Sequence, residues 1–491
     1  MRIGFDNEKY IRLQSEKIRE RIGKFGKLYL EFGGKLFDDY HASRVLPGFE
    51  PDTKIKMLQN LKDDCELILV INADDIEKNT MRGDLGITYD EDTIRLMNEF
   101  QALGFLISGV VVTHYAGQPN AIGYMRKLDD MGVKCYKHYI IDNYPYDIAR
   151  IVSDDGFGKN DFVETTKPLV VVTAPGPGSG KLATCLSQLY HENKRGVKAG
   201  YAKFETFPIW NLPVKHPVNL AYEAATVDLD DVNLIDPFHL EAYGLTVVNY
   251  NRDVETFPVL RAMMTKLLGE SPYKSPTDMG VNMAGLCIID DEACCESSRN
   301  EILRRYYDTA VKIKRTGVGD YMLIKMEKIM SMADVTPDML PARKAAMQKA
   351  KDSGTSSAAM VLPDGSIVTG KTSNLLGPAS SLLMNAIKAL AGIPDDEDVI
   401  TDEAIEPICA LKTGYLGSRN PRLHSDETLI ALSISSATSK QAHQAIEHLG
   451  ELRGCDAFFT NILSPADEKI YKSLGINISC EPKFERRGFC R

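Results

Sequence analysis

The 491-residue chain has no run of five or more Lys/Arg, and its 58 basic residues are outnumbered by 68 acidic ones. A net charge of −10 disfavours bulk attraction to nucleic acid or to an anionic membrane surface. No apolar run approaches the ~18 residues needed to span a bilayer; stretches such as Leu67–Val70 and Leu169–Val172 have the length of buried strands. Residues 1–26 are charged throughout and lack an apolar core, so they do not read as a signal peptide. The ten cysteines are scattered and include no C-x-x-C, which fits reduced cytosolic thiols better than a disulfide framework and argues against a structural zinc site. Internal repeats and low-complexity segments are also missing.

What is present is an ordinary globular composition, 44% hydrophobic and 26% charged, on a chain too long for one core. Residues 8–25 read as an amphipathic helix and Lys27–Phe32 as a strand. Strand candidates then alternate with helix candidates. The strands are Cys65–Asn72, Ile107–Thr113, Val133–Ile140, Leu169–Thr173 and Gly200–Glu205; the helices are Glu91–Leu103, Ala121–Met131 and Lys181–Asn193. Strands that are apolar along their length, separated by helices, imply a parallel sheet covered on both faces. Residues 1–255 are therefore expected to form a doubly wound α/β domain, P-loop-like or Rossmann-like. Residues 256–350 read as mainly helical, with a loop at 271–282. Residues 351–491 are expected to form a separate C-terminal α/β domain, opening on a linker-like stretch at 351–356. Pro363-Asp364-Gly365 signals a hairpin, Ser380–Leu390 a helix, and Leu429–Ser433 a strand.

The segment Leu169-Val-Val-Val-Thr-Ala-Pro-Gly-Pro-Gly-Ser-Gly-Lys181 is the most informative. A buried strand runs into a glycine-rich turn and then into a helix. Glycines let backbone amides approach a phosphate, and the helix N-terminus adds partial positive charge. Gly176, Gly178, Ser179, Gly180 and Lys181 are the expected phosphate binders, with Lys181 as a point charge. The pattern approximates G-x-x-x-x-G-K-[ST], but Pro175 replaces the first glycine and Leu182 the magnesium-binding hydroxyl. Thr184 and Ser179 are the nearest substitutes. ATP with magnesium is the expected ligand. Gly178-x-Gly180-x-x-Ala183, with Glu205 about 25 residues on, also fits a dinucleotide fingerprint and makes NAD(P) the alternative. The bland reading is a tight strand–helix turn.

A magnesium-binding acid is expected at a strand end; Asp228 and Asp236 are the candidates. Arg252, in Asn249-Tyr-Asn-Arg-Asp253, and Lys35, in the Gly33-Gly34-Lys35 turn, could orient an anionic substrate. His216 and His239 are weaker acid–base candidates, and Asn72-Ala-Asp-Asp75 with Arg82-Gly-Asp84 could face the same crevice. The expected activity is an ATP-dependent transferase or ligase acting on a small anionic metabolite. A nicotinamide-dependent oxidoreductase and a non-enzymatic ligand-binding scaffold are the alternatives. Homo-oligomerisation is expected only on general grounds.

The combination of Glu31–Asp38, His41–Phe49, Ala174–Thr184, Asn249–Glu255 and Asp364–Ser381 resembles a large uncharacterised family of bacterial cytosolic proteins over essentially all 491 residues. The resemblance implies a cytoplasmic location and carries no activity with it. Some members bear the label ATP-dependent zinc protease; here His191-Glu192 is followed by Asn193-Lys194-Arg195, so H-E-x-x-H fails at its last position. Ala358–Gly370 followed by a helix is similar to the core of the cytidine-deaminase-like fold, a three-layer α/β arrangement. The zinc ligands of that fold are missing from Ser380–Asn385 and from Pro407-Ile-Cys-Ala410.

Overall fold

A computed structural model describes residues 2–37, 39–82, 85–418 and 420–485. Asp38, Gly83 and Asp84, which belong to segments singled out above, lie outside the described residues. The chain divides into two compact units at 298/299. The boundary expected after residue 255 falls inside the continuous helix Asn251–Leu268.

In the first unit the sheet strands are β1 (Leu28–Phe32), β2 (Cys65–Asn72), β5 (Leu106–Tyr115), β6 (Cys135–Tyr139), β7 (Leu169–Thr173), β8 (Gly200–Phe204) and β11 (Gly280–Val281), in the order β11-β8-β1-β7-β2-β5-β6. Every pairing in this sheet is parallel. β2 and β7 are buried nearly end to end, which is why their sequences show no polar alternation: both faces are covered. Two small antiparallel ribbons lie outside the sheet, β3 (Met81–Arg82) with β4 (Ile87–Thr88), and β9 (Asn233–Ile235) with β10 (Val248–Tyr250). The loop expected at 271–282 contains a helical turn, Pro276–Met279, and the edge strand β11.

The order of the strands places the glycine loop. From β1 the chain leaves toward β2, β5 and β6; it returns to β7, between β1 and β2, and leaves that strand toward β8 and β11 on the opposite side. Connections departing in opposite directions from adjacent β1 and β7 leave a crevice at their carboxyl ends, the usual ligand position in an open α/β sheet.

The second unit carries the four-stranded sheet β13-β12-β14-β15, from β12 (Ser357–Val361), β13 (Ile367–Lys371), β14 (Asp456–Phe459) and β15 (Asn477–Cys480). The expected hairpin is β12–β13, and β12 is also antiparallel to β14, which is parallel to β15. Residues alternate between faces. Ala358, Met360, Ala457 and Phe459 pack with Leu382, Leu383 and Ile387 of the helix Pro378–Leu390. Ala359 and Phe458 pack with Ala342 and Ala346 of the helix Pro341–Ser353. That helix takes up the first half of the expected linker, 351–353. The strand expected at Leu429–Ser433 is a correction: these residues belong to the helix Ser425–Ser436. Among the described residues no helix is long and apolar enough to cross a membrane.

Candidate functional site

The glycine loop connects β7 to the helix Lys181–Lys194. Gly178 (φ +70°) and Gly180 (φ +90°) take the left-handed conformation that side chains resist. Gly180 is the N-cap, and no side chain caps the helix there, so its first amides remain available to an anion. The loop is pinned from the β2–β5 side. Thr113 Oγ1 donates to the Ser179 carbonyl at 2.6 Å, and Asn72 Nδ2 to the Gly178 carbonyl at 3.4 Å. A Cβ on Gly176 would stand 2.5 Å from the Tyr89 ring. Ser179 Oγ and Thr184 Oγ1 are buried and have no hydrogen-bond partner among the described residues. Buried hydroxyls of that kind are uncommon in a purely structural turn.

A charged cluster adjoins the loop across β1. Glu31, near the end of β1, pairs in register with Val172 of β7 on one side and Lys203 of β8 on the other. Its Oε2 accepts from Tyr201 OH at 2.7 Å. Burial lowers the Lys181 pKa from its ordinary value; the Glu31 carboxylate opposes that shift, while Lys203 and Arg252 add to it. Lys203 Nζ lies 2.8 Å from Glu205 Oε1 and 2.5 Å from Asp253 Oδ2, and it also meets Tyr250 OH. Burial lifts Glu205 to about 7, with Lys203 opposing and Asp253 reinforcing the shift. Lys203 stays protonated: its carboxylate neighbours outweigh the cost of burying it and raise its pKa. Arg252 reaches Asp231 Oδ2 at 3.0 Å, which also accepts from Tyr222 OH at 3.2 Å. Asp231 Oδ1 has no partner among the described residues. Desolvation of its hydroxyl and the Glu31 charge raise the pKa of Tyr144, a residue 39% exposed overall, so the 140–147 loop reaches the same cluster.

Several sequence candidates fall elsewhere. Asp236 is a helix cap: Oδ1 accepts from the amides of Phe238 and His239, and Oδ2 from Thr277 N and Thr277 Oγ1. Four hydrogen bonds on a carboxylate that is 0% exposed leave no room for a metal, which corrects its expected role. Asp228 is exposed in the turn at 226–230, and the carboxylate acting on Lys181 is Glu31. Lys35 is exposed in the loop after β1. The buried cation beside that turn is Lys54, whose Nζ lies 3.1 Å from the Cβ position of Gly34 and is paired with Asp39 at 2.7 Å. His239 meets Ser275 Oγ at 2.9 Å. His191 and Glu192 bind Asn160 and Lys27/Tyr29 within the fold.

Glu31, Tyr250, Asp253 and Asp231 were not singled out from sequence. The available signal was their placement at or beyond strand ends, in segments already noted for Gly33-Gly34 and for the 249–253 run.

Residues 3–334 match the family described as Domain of unknown function DUF1846, N-terminal, and residues 338–489 its C-terminal counterpart. A UPF0371 protein of Corynebacterium diphtheriae is 56% identical over 486 residues, covering 99% of this chain and 98% of the relative. A UPF0371 protein of Streptococcus thermophilus is 54% identical over 482 residues, 98% of each chain. One of Streptococcus pyogenes is 53% identical over 490 residues, covering 100% of this chain and 99% of the relative. The chain belongs to the UPF0371 family, built from the N- and C-terminal DUF1846 domains.

Proposed function

We propose that the protein binds a phosphorylated ligand on the 174–181 loop, with a nucleoside triphosphate and magnesium as the leading case, and acts on a small anionic metabolite as a phosphotransferase or ligase in the cytoplasm. The observation that carries this reading is the uncapped helix start at Gly180, preceded by left-handed Gly178 and set in the crevice where the connections of β1 and β7 diverge. Backbone amides and the helix dipole would take the phosphate, with Lys181 as its point charge. Arg252, whose side chain is 48% exposed beside Asp231, would orient a carboxylate or phosphate of the second substrate, and Glu205, held by Lys203 and lifted to about 7, has the range of a general base. Leu182 supplies no oxygen at the usual magnesium position and Asp236 is saturated. The cation would therefore ride mainly on the nucleotide phosphates, with Glu31 the adjoining carboxylate.

The nicotinamide reading is weaker. In a dinucleotide fold the acid that binds ribose ends the next strand. Here β8 is separated from β7 by β1, and Glu205 is engaged with Lys203. The C-terminal unit supports a likeness to the deaminase-like fold through its hairpin and the following helix, with no zinc ligands at the matching positions.

The test is a thermal-shift series with ATP, ADP, NADH, NADPH and pyrophosphate, with and without magnesium, on wild type and Lys181→Ala. Saturation at about 100 times Kd adds about 2.7 kcal/mol, a readable rise. A magnesium-dependent rise with ATP, lost in Lys181→Ala, supports the proposal. A response to NADPH alone replaces it with the oxidoreductase reading, and silence toward all five ligands ends it.

A further inference from the structure

A second constellation lies apart from the glycine loop and takes no part in the reading above. His216 is the N-cap of the helix Pro217–Ala225, and Asp291 and Cys295 sit one turn apart at the start of the helix Asp291–Thr316. Spacing of i,i+4 puts the last two on one helix face. His216 Nε2 is 3.1 Å from Asp291 Oδ1 and 3.4 Å from Oδ2, and 3.5 Å from Cys295 Sγ; Cys295 Sγ is 3.8 Å from Asp291 Oδ2. Among the described residues, His216, Asp291 and Cys295 are a group of histidine, cysteine and carboxylate donors that could hold a metal ion.

The spacing matters. Zinc bonds of about 2.0–2.3 Å in a tetrahedron put neighbouring ligand atoms about 3.3–3.6 Å apart. The triangle through Asp291 Oδ2 departs from that by 0.2 Å or less, so a cation could enter once the shorter Oδ1 contact is given up. Cys295 is 6% exposed and the His216 side chain 10%, whereas the Asp291 side chain is 60% exposed. The soft donors are buried and the carboxylate opens to solvent. Cys294 faces away, its Sγ on the Gly4 carbonyl at 3.4 Å, so it is not a fourth ligand.

We propose that His216, Asp291 and Cys295 form a zinc site with three protein ligands and one position exchangeable with water. A thiolate and an imidazole select zinc over magnesium or calcium, and three ligands with an open position are the pattern of reactive rather than closed structural zinc. The thiolate and carboxylate together balance the charge of the ion, and binding releases the thiol proton to solvent. There is a cost. His216 Nδ1 accepts from the Val218 amide at 3.3 Å, and a metal on Nε2 puts the ring proton on Nδ1. Coordination therefore replaces that capping bond, and the site binds zinc more weakly than a closed four-ligand site.

The experiment uses the full chain, stripped of metal by a chelator and titrated with cobalt(II) as a spectroscopic probe for zinc. The expected result is one equivalent bound with a thiolate-to-cobalt charge-transfer band that zinc displaces. Cys295→Ala should abolish the band. Asp291→Ala, at an exposed position that leaves folding intact, should weaken binding by at least about tenfold, since loss even of an outer partner costs about 10–100-fold. No thiolate band in the wild-type chain, a band that survives Cys295→Ala, or unchanged affinity in Asp291→Ala would each overturn the proposal.

Discussion

Lys203 and Glu205 end the same strand region two residues apart, and their side chains turn to meet at 2.8 Å, with Asp253 closing the group at 2.5 Å from the same ammonium. Two carboxylates thus share one buried cation. Burial and the Asp253 charge lift Glu205 from its ordinary 4.5 to about 7. As pH rises through that window the unfolded chain releases the proton first. The contribution of Glu205 to stability is therefore full below about 4.5 and lost as pH passes about 7. Glu205→Gln should flatten this part of the profile: between pH 5 and pH 8 the thermal midpoint of the wild type should fall further than that of the variant. Parallel profiles would place the shared proton elsewhere.

Removing the cation is harsher than removing either acid. Lys203→Met leaves Glu205 and Asp253 facing each other without compensation, and breaking a buried pair in this way costs about 3–5 kcal/mol. A single carboxylate change, Asp253→Asn, should cost less, because Lys203 retains Glu205. Chemical denaturation of the three chains orders them; equal losses would mean that solvent screens the cluster.

The strand–glycine–helix unit was readable because each part has its own local signal: a continuous apolar run, glycines, and a long helical period starting at Lys181. Leu429–Ser433 misled because a short apolar run cannot distinguish strand from buried helix by period alone; the stronger signal was the acidic first turn, Asp426 and Glu427, with Glu427 accepting from the His424 amide. Asp236-Pro237 reads, in hindsight, as a helix start, which is the work its carboxylate does. β11 is two residues long and has no period to detect. The Lys203–Asp253 contact spans fifty positions, and no local pattern encodes it.

The glycine loop makes a graded prediction. Gly178 has open space where a Cβ would sit, so Gly178→Ala meets only the left-handed backbone penalty of about 1–2 kcal/mol. At Gly180 the new carbon would also stand 2.9 Å from Thr113 Cγ2, and overpacking adds about 1–3 kcal/mol. Thr113→Ser deletes that methyl while keeping the hydroxyl bonded to the Ser179 carbonyl. It should recover part of the Gly180→Ala loss and none of the Gly178→Ala loss. The double variants, followed by thermal unfolding, test this; equal rescue of both would mean that Thr113 does not set the local fit.

In the C-terminal unit His424 Nδ1 lies 3.2 Å from Asp467 Oδ2, and the other carboxylate oxygen accepts from Ser425 N and Ser425 Oγ. Burial works against the Asp467 charge, but His424, Ser464 and Ser425 bring its pKa down to about 2. The same pairing raises His424 above its ordinary 6.5. The signs differ. The Asp467 contribution is present above about 3.8 and is lost as pH falls toward 2; the His424 contribution is present below 6.5 and is lost as pH rises through its elevated folded value. The imidazole resonances of His424 should titrate above 6.5 in the wild type and move back toward that value in Asp467→Asn. The variant should also shed the extra stability that the wild type shows at pH 5 relative to pH 8. A His424 titration that does not respond to Asp467→Asn would show that the contact is a neutral hydrogen bond, and that the carboxylate is held by its serine donors alone.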